Sequence, residues 1–410
     1  MISKRATWLF TNAFLEISLS RTCSHKNKNF FLINLRIFIF GFLKIVELYL
    51  LQKKNLFNKY HNHVPSVEHL VIEAQAPHMH LNYFRYFNKE KVNQNYLILE
   101  CFNKKQYTKI VSLNFLTIFK EFYLTYLDVI QALKITYSLN VHNDLLSEAR
   151  RGLPVFSYQL CLFKLLKKEN SNIKLFSGGA HLASAAAIES GIETYYLSHG
   201  LIDRGRPFNF RPSIDTHYLS LPNFDYIFMH SNDEIEYLKK YNVRSNFCLY
   251  PQSKIQNKEK KVIFFLSPYH SSKEEMYLND AIKFFIKNKY EVILKLHPTY
   301  EGDLSENIFN TRTVRVIESD SKNASELIKS ESPEFVCSFA STSLCEALNH
   351  GVIPICLTEI KKLNSEANHL YPFREKTLFW ESAQPIIIDA IINPSTSKQN
   401  AILETLESDN

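Results

Sequence analysis

Apolar and polar residues alternate in blocks between residues 67 and 357. Short runs rich in Val, Ile, Leu and Phe are each followed by a turn and then by a stretch with helical spacing. Strands that alternate with helices in this way are typical of a parallel α/β sheet. The predicted strands cover residues 67–74, 95–101, 108–113, 173–176, 194–200, 225–230, 261–266, 290–296, 315–317, 335–337 and 352–357, and the main helices cover 118–138, 180–190, 274–287, 324–329 and 343–350.

A short polar stretch, residues 251–261, interrupts this alternation and predicts a linker between two Rossmann-like domains. The first domain is expected at residues 66–250 and the second at 260–390, with a C-terminal tail at 391–410. Ligands of such sheets bind outside the carboxyl ends of the strands. The predicted fold is therefore α/β, with two Rossmann-like domains that face a central cleft.

Residues 1–65 form a basic, amphipathic helical extension in this prediction. The apolar run Phe30–Leu51 contains Arg36, Lys44 and Glu47, which are costly at a bilayer centre, so a membrane-spanning helix is disfavoured. Two interpretations stay open: an interfacial helix on an anionic membrane, or a helix packed against the first domain. No cleavable signal peptide is evident, so we expect a cytoplasmic protein that is soluble or peripheral on the inner face of the membrane.

Composition narrows the choice of partners. The net charge of +7 suits an anionic partner, but the early basic residues flank an apolar run instead of alternating with stacking aromatics, which disfavours nucleic acid. The seven cysteines show no metal-ligand or paired spacing, which indicates reduced thiols. No metal site is predicted.

Two motifs in the second domain follow strands and carry candidate chemistry. The first is Lys295-Leu296-His297-Pro298, and the second runs from Cys337 to Ala347 with hydroxyl groups at a helix start, where the helix dipole favours an anion. His297 is placed to stabilise charge on a leaving nucleotide, and Glu346 to accept hydrogen bonds from ribose. The predicted donor-binding residues are Ser267, Pro268, Lys295, Pro298, Ser338, Ser341, Thr342, Ser343 and Glu346.

The first domain carries a second candidate cluster in Ser198–Gly205. Transfer with inversion needs one general base near the acceptor hydroxyl, and either His199 or Asp203 fits that role. Arg204 and Arg206 are placed to hold an acidic sugar or a phosphate. His181, in a Gly-Gly-Ala-His turn, is a further candidate for the acceptor site. Strand or helix capping and core packing are competing structural roles for all these residues.

The motifs around His297 and Ser338–Ser343 resemble those of bacterial GT-B sialyltransferases, polysialyltransferases and capsular Kdo transferases. In those families the His-Pro histidine and the hydroxyl motif bind the CMP part of the donor, which the resemblance carries onto His297, Ser338, Ser341, Thr342 and Ser343. The segment at His199 is similar to one in CDP-glycerol polymerases. The paired acidic-acidic-glycine motif of polysialyltransferases is not found.

The resemblance implies a metal-independent, inverting glycosyltransferase. It would move a sialic acid-like nonulosonate or Kdo from a CMP-activated co-substrate onto a surface oligosaccharide or a lipid-linked glycan, and it would require no cofactor. The alternatives are a CDP-glycerol-type phosphotransferase, a nucleotide-sugar epimerase of the same fold, and a non-catalytic membrane-associated assembly protein.

Overall fold

The computed structural model describes most of the chain in separate stretches. The described residues are 30–57, 68–73, 96–100, 110–136, 143–177, 182–197, 224–240, 245–250, 253–266, 271–297, 314–318, 322–339, 341–359, 376–392 and 396–408. By their contacts they divide into two compact units, each built around one sheet.

The first unit contains a six-stranded sheet in the order β2-β1-β3-β4-β5-β6. The pairs from β2 through β5 are parallel. Its strands are β1 (His69–Glu73), β2 (Tyr96–Glu100), β3 (Lys174–Ser177), β4 (Glu193–Leu197), β5 (Tyr226–Met229) and β6 (Asn246–Leu249), and its helices are α1 (Phe30–Phe57), α2 (Phe115–Thr136), α3 (Asn143–Glu169) and α4 (Leu182–Glu189). The next helix, α5 (Asn232–Lys240), belongs over most of its length to the second unit by its contacts, as does His230 before it.

Helices α1, α2 and α3 pack against one another. α1 turns Ile45 and Leu48 inward, and both are at most 2% exposed. Rings of α1 contact rings of α2, for example Phe38 with Tyr126 at 5.2 Å between centroids. The predicted helical extension is thus observed, with one face packed as the second of its two interpretations expected. No described helix has a stretch long and apolar enough to span a membrane.

The second unit contains a six-stranded sheet in the order β12-β11-β10-β7-β8-β9, with all its pairs parallel. When β7 is counted as strand 1 and the sheet is read from β9 to β12, the order is 3-2-1-4-5-6, which is the Rossmann order. Its strands are β7 (Glu259–Phe265), β8 (Glu291–Lys295), β9 (Val314–Ile317), β10 (Pro333–Ser338), β11 (Ile353–Cys356) and β12 (Leu378–Phe379), and its helices are α6 (Ser272–Lys287), α7 (Ala324–Glu331), α8 (Thr342–Asn349), α9 (Trp380–Ile392) and α10 (Thr396–Ser408).

Side chains of β7 alternate between two cores, because successive residues of a strand point to opposite faces. Val262 and Phe264 lie in a core that includes residues of α6, α9 and α10. Ile263 lies in the other core, with residues of α7 and α8. The sheet is therefore covered by helices on both faces, as the near-continuous apolar strands require. α10, in the predicted tail, contributes the buried Leu403 and Leu406.

The predicted strand at residues 108–113 is wrong over its described part, 110–113, which contains no strand. This segment instead leads into α2. The Asn114 side chain accepts a hydrogen bond from the backbone N–H of Leu116 at 2.8 Å, as a helix cap does, and the Leu113 carbonyl accepts one from Gln52 of α1 at 2.9 Å. The segment therefore ends in a helix cap, and its last carbonyl is bonded to a side chain of α1 rather than to a neighbouring strand.

Two parallel sheets and a helical N-terminal extension confirm the predicted α/β class. The pattern missed β6, β12, α3, α9 and α10. Residues 253–258, inside the predicted linker, are attached to the second unit: the Ile255 N–H donates to the His350 carbonyl, and His350 Nδ1 lies 2.9 Å from the Ser253 carbonyl oxygen.

Candidate functional site

The candidate site lies at the carboxyl edge of the second sheet, at its topological switch point. Chain connections leave β7 and β10 in opposite directions across the sheet, so the segments after these two neighbouring strands diverge and leave a crevice. The Ser338 hydroxyl, at the end of β10, donates to the Phe265 carbonyl at the end of β7 at 2.8 Å. This bond ties the two strands together where the crevice begins.

Helix α8 starts directly beyond this bond. Ser341 is its N-cap: the side-chain oxygen accepts from the Ser343 N–H at 3.3 Å, and the Ser343 hydroxyl lies 3.1 Å from the same oxygen. Ser343 is buried, whereas Ser341 and Thr342 are partly exposed. Because the N-terminal end of a helix carries partial positive charge, these two hydroxyls stand where an anion would be stabilised.

The other described motif follows β8, on the opposite side of β7. Lys295 is buried, and its Nζ donates to the Glu318 carbonyl beyond β9. His297 is exposed two residues later. Since neighbouring strands lie about 4.8 Å apart, β8 and β10 are separated by roughly 10 Å. His297 and Ser341 therefore follow the two strands that flank β7, at the same edge of the sheet.

Glu346 lies in the second turn of α8 and is 6% exposed. The end of the same helix is held by other contacts. Asn349 Nδ2 donates to the His230 carbonyl at 2.8 Å, and His350 Nε2 lies 2.7 Å from the Ser325 hydroxyl oxygen. These bonds fix the helix whose N-terminus faces the switch point.

A polar cluster missed by the sequence analysis lies at the start of α6, which follows β7. Ser271 and Glu274 form a capping box, in which Glu274 accepts from the Ser271 N–H at 2.8 Å. The Ser271 hydroxyl also donates to Glu359, 3.3 Å away and beyond β11, and Lys273 is paired with Glu359 at 3.2 Å. A Ser-x-x-Glu sequence before an apolar run was the available signal.

Two cysteines, Cys337 of β10 and Cys356 of β11, are fully buried. Cys337, next to Ser338, has its pKa raised well above its usual value by burial. Burial also raises the pKa of Cys356 to about 11, although Thr358 hydrogen bonds act in the opposite direction. The described cysteines, Cys161, Cys248, Cys337, Cys345 and Cys356, are free thiols.

Eight predicted site residues lie outside the described residues, so their placement stays a prediction. They are His181, His199, Asp203, Arg204, Arg206, Ser267, Pro268 and Pro298. Within the described part of the chain, no group of three or more His, Cys, Asp or Glu side chains is arranged to hold a metal ion.

The second sheet, with its Rossmann order and hydroxyl-bearing helix start, defines a doubly wound α/β protein with a candidate anion site. No protein-family model and no curated protein matches the sequence. Solved structures with a similar chain path include the S. aureus MnaA-UDP co-structure, which is 9% identical with a TM-score of 0.42 and is matched over 83% of this chain and 91% of that one.

Two further solved structures are similar to the same degree. UDP-GlcNAc 2-epimerase from Neisseria meningitidis, bound to UDP-GlcNAc, is 12% identical with a TM-score of 0.44, over 82% of this chain and 95% of that one. A UDP-forming α,α-trehalose-phosphate synthase from Burkholderia xenovorans is 8% identical with a TM-score of 0.40, over 83% and 95%.

Proposed function

We propose that this chain is a GT-B glycosyltransferase that binds a nucleotide-activated acidic sugar at the switch point of its second sheet. The observation that carries the proposal is the meeting of β7 and β10 at the Ser338–Phe265 hydrogen bond, with the N-terminus of α8 directly beyond it. A doubly wound sheet binds its ligand at such a point, and a helix N-terminus there favours phosphate.

In this proposal, the donor is bound by residues that follow two strands, β10 and β8. Ser341 and Thr342 offer hydroxyls to a phosphate at the start of α8, and the helix dipole adds to the attraction. His297, across β7, donates a hydrogen bond or positive charge to the departing nucleotide, which acquires negative charge as the glycosidic bond breaks. Glu346 is the proposed acceptor for ribose hydroxyls.

The acceptor side of the proposal rests on the sequence. His199 or Asp203 removes the proton from the acceptor hydroxyl as the sugar is transferred with inversion, and Arg204, Arg206 and His181 hold the acceptor. The proposed donor is a CMP-linked nonulosonate or Kdo, and the proposed acceptor is an oligosaccharide or a lipid-linked glycan. The chemistry uses no metal, so transfer is expected to persist in EDTA.

A thermal-shift titration with CMP, CDP, UDP and GDP tests the donor. CMP is expected to stabilise the protein, and His297→Ala and Thr342→Val are each expected to weaken that binding about tenfold or more, because each removes a hydrogen bond to a charged group. Ser330→Ala is the matched control. Ser330 is an exposed residue near the end of α7, and because α7 precedes β10, Ser330 lies at the opposite edge of the sheet.

Each alternative outcome has a definite meaning. A preference for UDP or GDP overturns the CMP donor but keeps a nucleotide site. Stabilisation by CDP with transfer of glycerophosphate identifies a CDP-glycerol-type enzyme, and turnover of a donor sugar without an acceptor identifies an epimerase. No response to any nucleotide overturns the proposal in favour of a non-catalytic protein.

A further inference from the structure

Helices α1 and α2 run antiparallel and leave one apolar side uncovered. Phe38 of α1 contacts Tyr126 of α2. Phe42, one turn later along α1, contacts Phe119, which lies about two turns earlier along α2. Around each helix, the same order of faces occurs: buried residues, then residues that contact the other helix, then exposed residues. In an antiparallel pair this order brings the exposed arcs to the same side. We call this the outer face, and it is formed by Leu35, Ile39, Leu43, Leu50, Leu116, Tyr123 and Leu127.

The outer face is unusually apolar for a surface in contact with water. Leu50 is 60% exposed and Leu116 is 72% exposed. Contiguous exposed patches of large aliphatic residues mark interaction surfaces, since isolated apolar residues are common but clusters are not. A shallow groove on α1, lined by Leu43, Val46, Leu50 and Leu51, continues the same surface.

Charge selects the kind of partner. Residues 1–65 contain ten Lys and Arg but only two acidic residues, so this segment alone carries more positive charge than the net +7 of the whole chain. Exposed basic side chains accompany the outer face, among them Arg36, Lys53, Lys54 and Lys120. Of the two acidic residues, Glu47 is bonded to Lys44. A second copy of this chain would bring two basic surfaces together, whereas an anionic lipid surface is complementary to it.

We propose that the outer face of α1 and α2 docks on an anionic phospholipid surface. The leucines lie at the boundary between headgroups and acyl chains, and the lysines and arginines contact the lipid phosphates. The inference deepens the proposed function, because a lipid-linked acceptor requires the enzyme at a membrane. Binding to vesicles, however, does not depend on catalysis, so the two proposals can fail separately.

The test is sedimentation of the full-length protein with vesicles of phosphatidylcholine, alone or mixed with phosphatidylglycerol. Binding is expected only with phosphatidylglycerol and is expected to weaken as salt increases. The double variant Leu50→Asp, Leu116→Asp is expected to reduce binding more than about tenfold, from the apolar area that can no longer be buried. Lys53→Gln with Lys54→Gln, which leaves the apolar face intact, is expected to reduce it about fivefold per lysine.

Met276→Asp and Val316→Asp are the matched controls, since both replace exposed apolar residues of the second unit. They are expected to bind vesicles as the wild type does. Absence of binding to phosphatidylglycerol vesicles overturns the proposal, and so does an equal loss in the controls. Concentration-dependent dimerisation that the leucine variant abolishes, with vesicle binding unchanged, would show that the outer face binds a second copy instead.

Discussion

At the scale of single residues, buried polar side chains hold distant segments of the first unit together. Gln52 of α1 is fully buried and makes two hydrogen bonds: its Nε2 donates to the Leu113 carbonyl at 2.9 Å, and its Oε1 accepts from the Tyr158 hydroxyl at 2.7 Å. Tyr158 is 2% exposed. A polar group is tolerated inside a core only when such partners are present.

Tyr158→Phe is expected to lower the free energy of unfolding by about 1–3 kcal/mol, because it leaves the buried Gln52 oxygen without its hydroxyl donor. Urea unfolding followed by circular dichroism measures the effect. Tyr123→Phe, which removes an exposed hydroxyl from α2, serves as the control and should leave the midpoint unchanged. Equal midpoints for Tyr158→Phe and the wild type would show that the buried bond contributes nothing.

At the scale of elements, a glycine sets how closely α1 approaches α2. A Cβ atom placed on Gly41 would lie 2.5 Å from Phe122 Cε2, and Phe122 is fully buried, so its ring has little room to move. The close approach lets the rings of the two helices meet, as in the contact of Phe38 with Phe122 at 5.8 Å. Gly41 therefore has a packing role in spite of its low helix propensity.

Gly41→Ala is expected to destabilise the protein by about 1–2 kcal/mol. The overpacking cost of about 1–3 kcal/mol outweighs the helix-propensity gain of about 0.5–1 kcal/mol. Thermal unfolding provides the measurement. In a Phe122→Leu background the ring is absent, and the same substitution should cost much less. A stabilising effect of Gly41→Ala in the wild-type background would contradict the close packing.

At the scale of the whole molecule, both units contain buried hydroxyl or thiol groups whose pKa values are raised in the folded state. Burial raises the pKa of Tyr158 in the first unit and the pKa values of Cys337 and Cys356 in the second, with Cys356 at about 11 against an ordinary 9.0. On going to high pH the unfolded chain loses these protons first. The folded state then binds more protons than the unfolded state, so stability falls as pH rises.

The melting temperature is therefore expected to fall as pH rises from 9 towards 11, the interval between the ordinary and the raised pKa of Cys356. For Cys356 alone, raising the pKa from 9.0 to about 11 corresponds to a decrease in the free energy of unfolding of up to about 3 kcal/mol across this interval. Melting curves at a series of pH values test this. In Cys356→Ala, the melting temperature should fall less steeply with pH than in the wild type. The slopes are compared because the substitution also changes the absolute melting temperature. A melting temperature that is constant across this interval would refute the linkage.

Much of the architecture was predictable from local pattern, since apolar blocks with period two or 3.6 report strands and helices directly. β7 and α8, and the loops after β8 and β10, were found within a few residues. The apolar residues of 108–113 suit a strand, but residues 110–113 lead into the capped start of α2, and the Leu113 carbonyl is bonded to Gln52 of α1. The capping box at Ser271 and Glu274 has a local signal in the sequence, a Ser-x-x-Glu segment before an apolar run, which the alternation of strands and helices does not reveal.

The α/β class, the two sets of strand–helix blocks and the position of hydroxyl and histidine motifs after strands follow from neighbours along the chain, so they can be read from the sequence. The strand order, the meeting of β7 and β10, and the buried face of α1 become known only from the folded chain. These depend on contacts between distant residues, such as Ser338 with Phe265, 73 positions apart, and Tyr158 with Gln52, 106 positions apart. No local pattern encodes such pairs, because many pairings of similar apolar segments bury comparable surface.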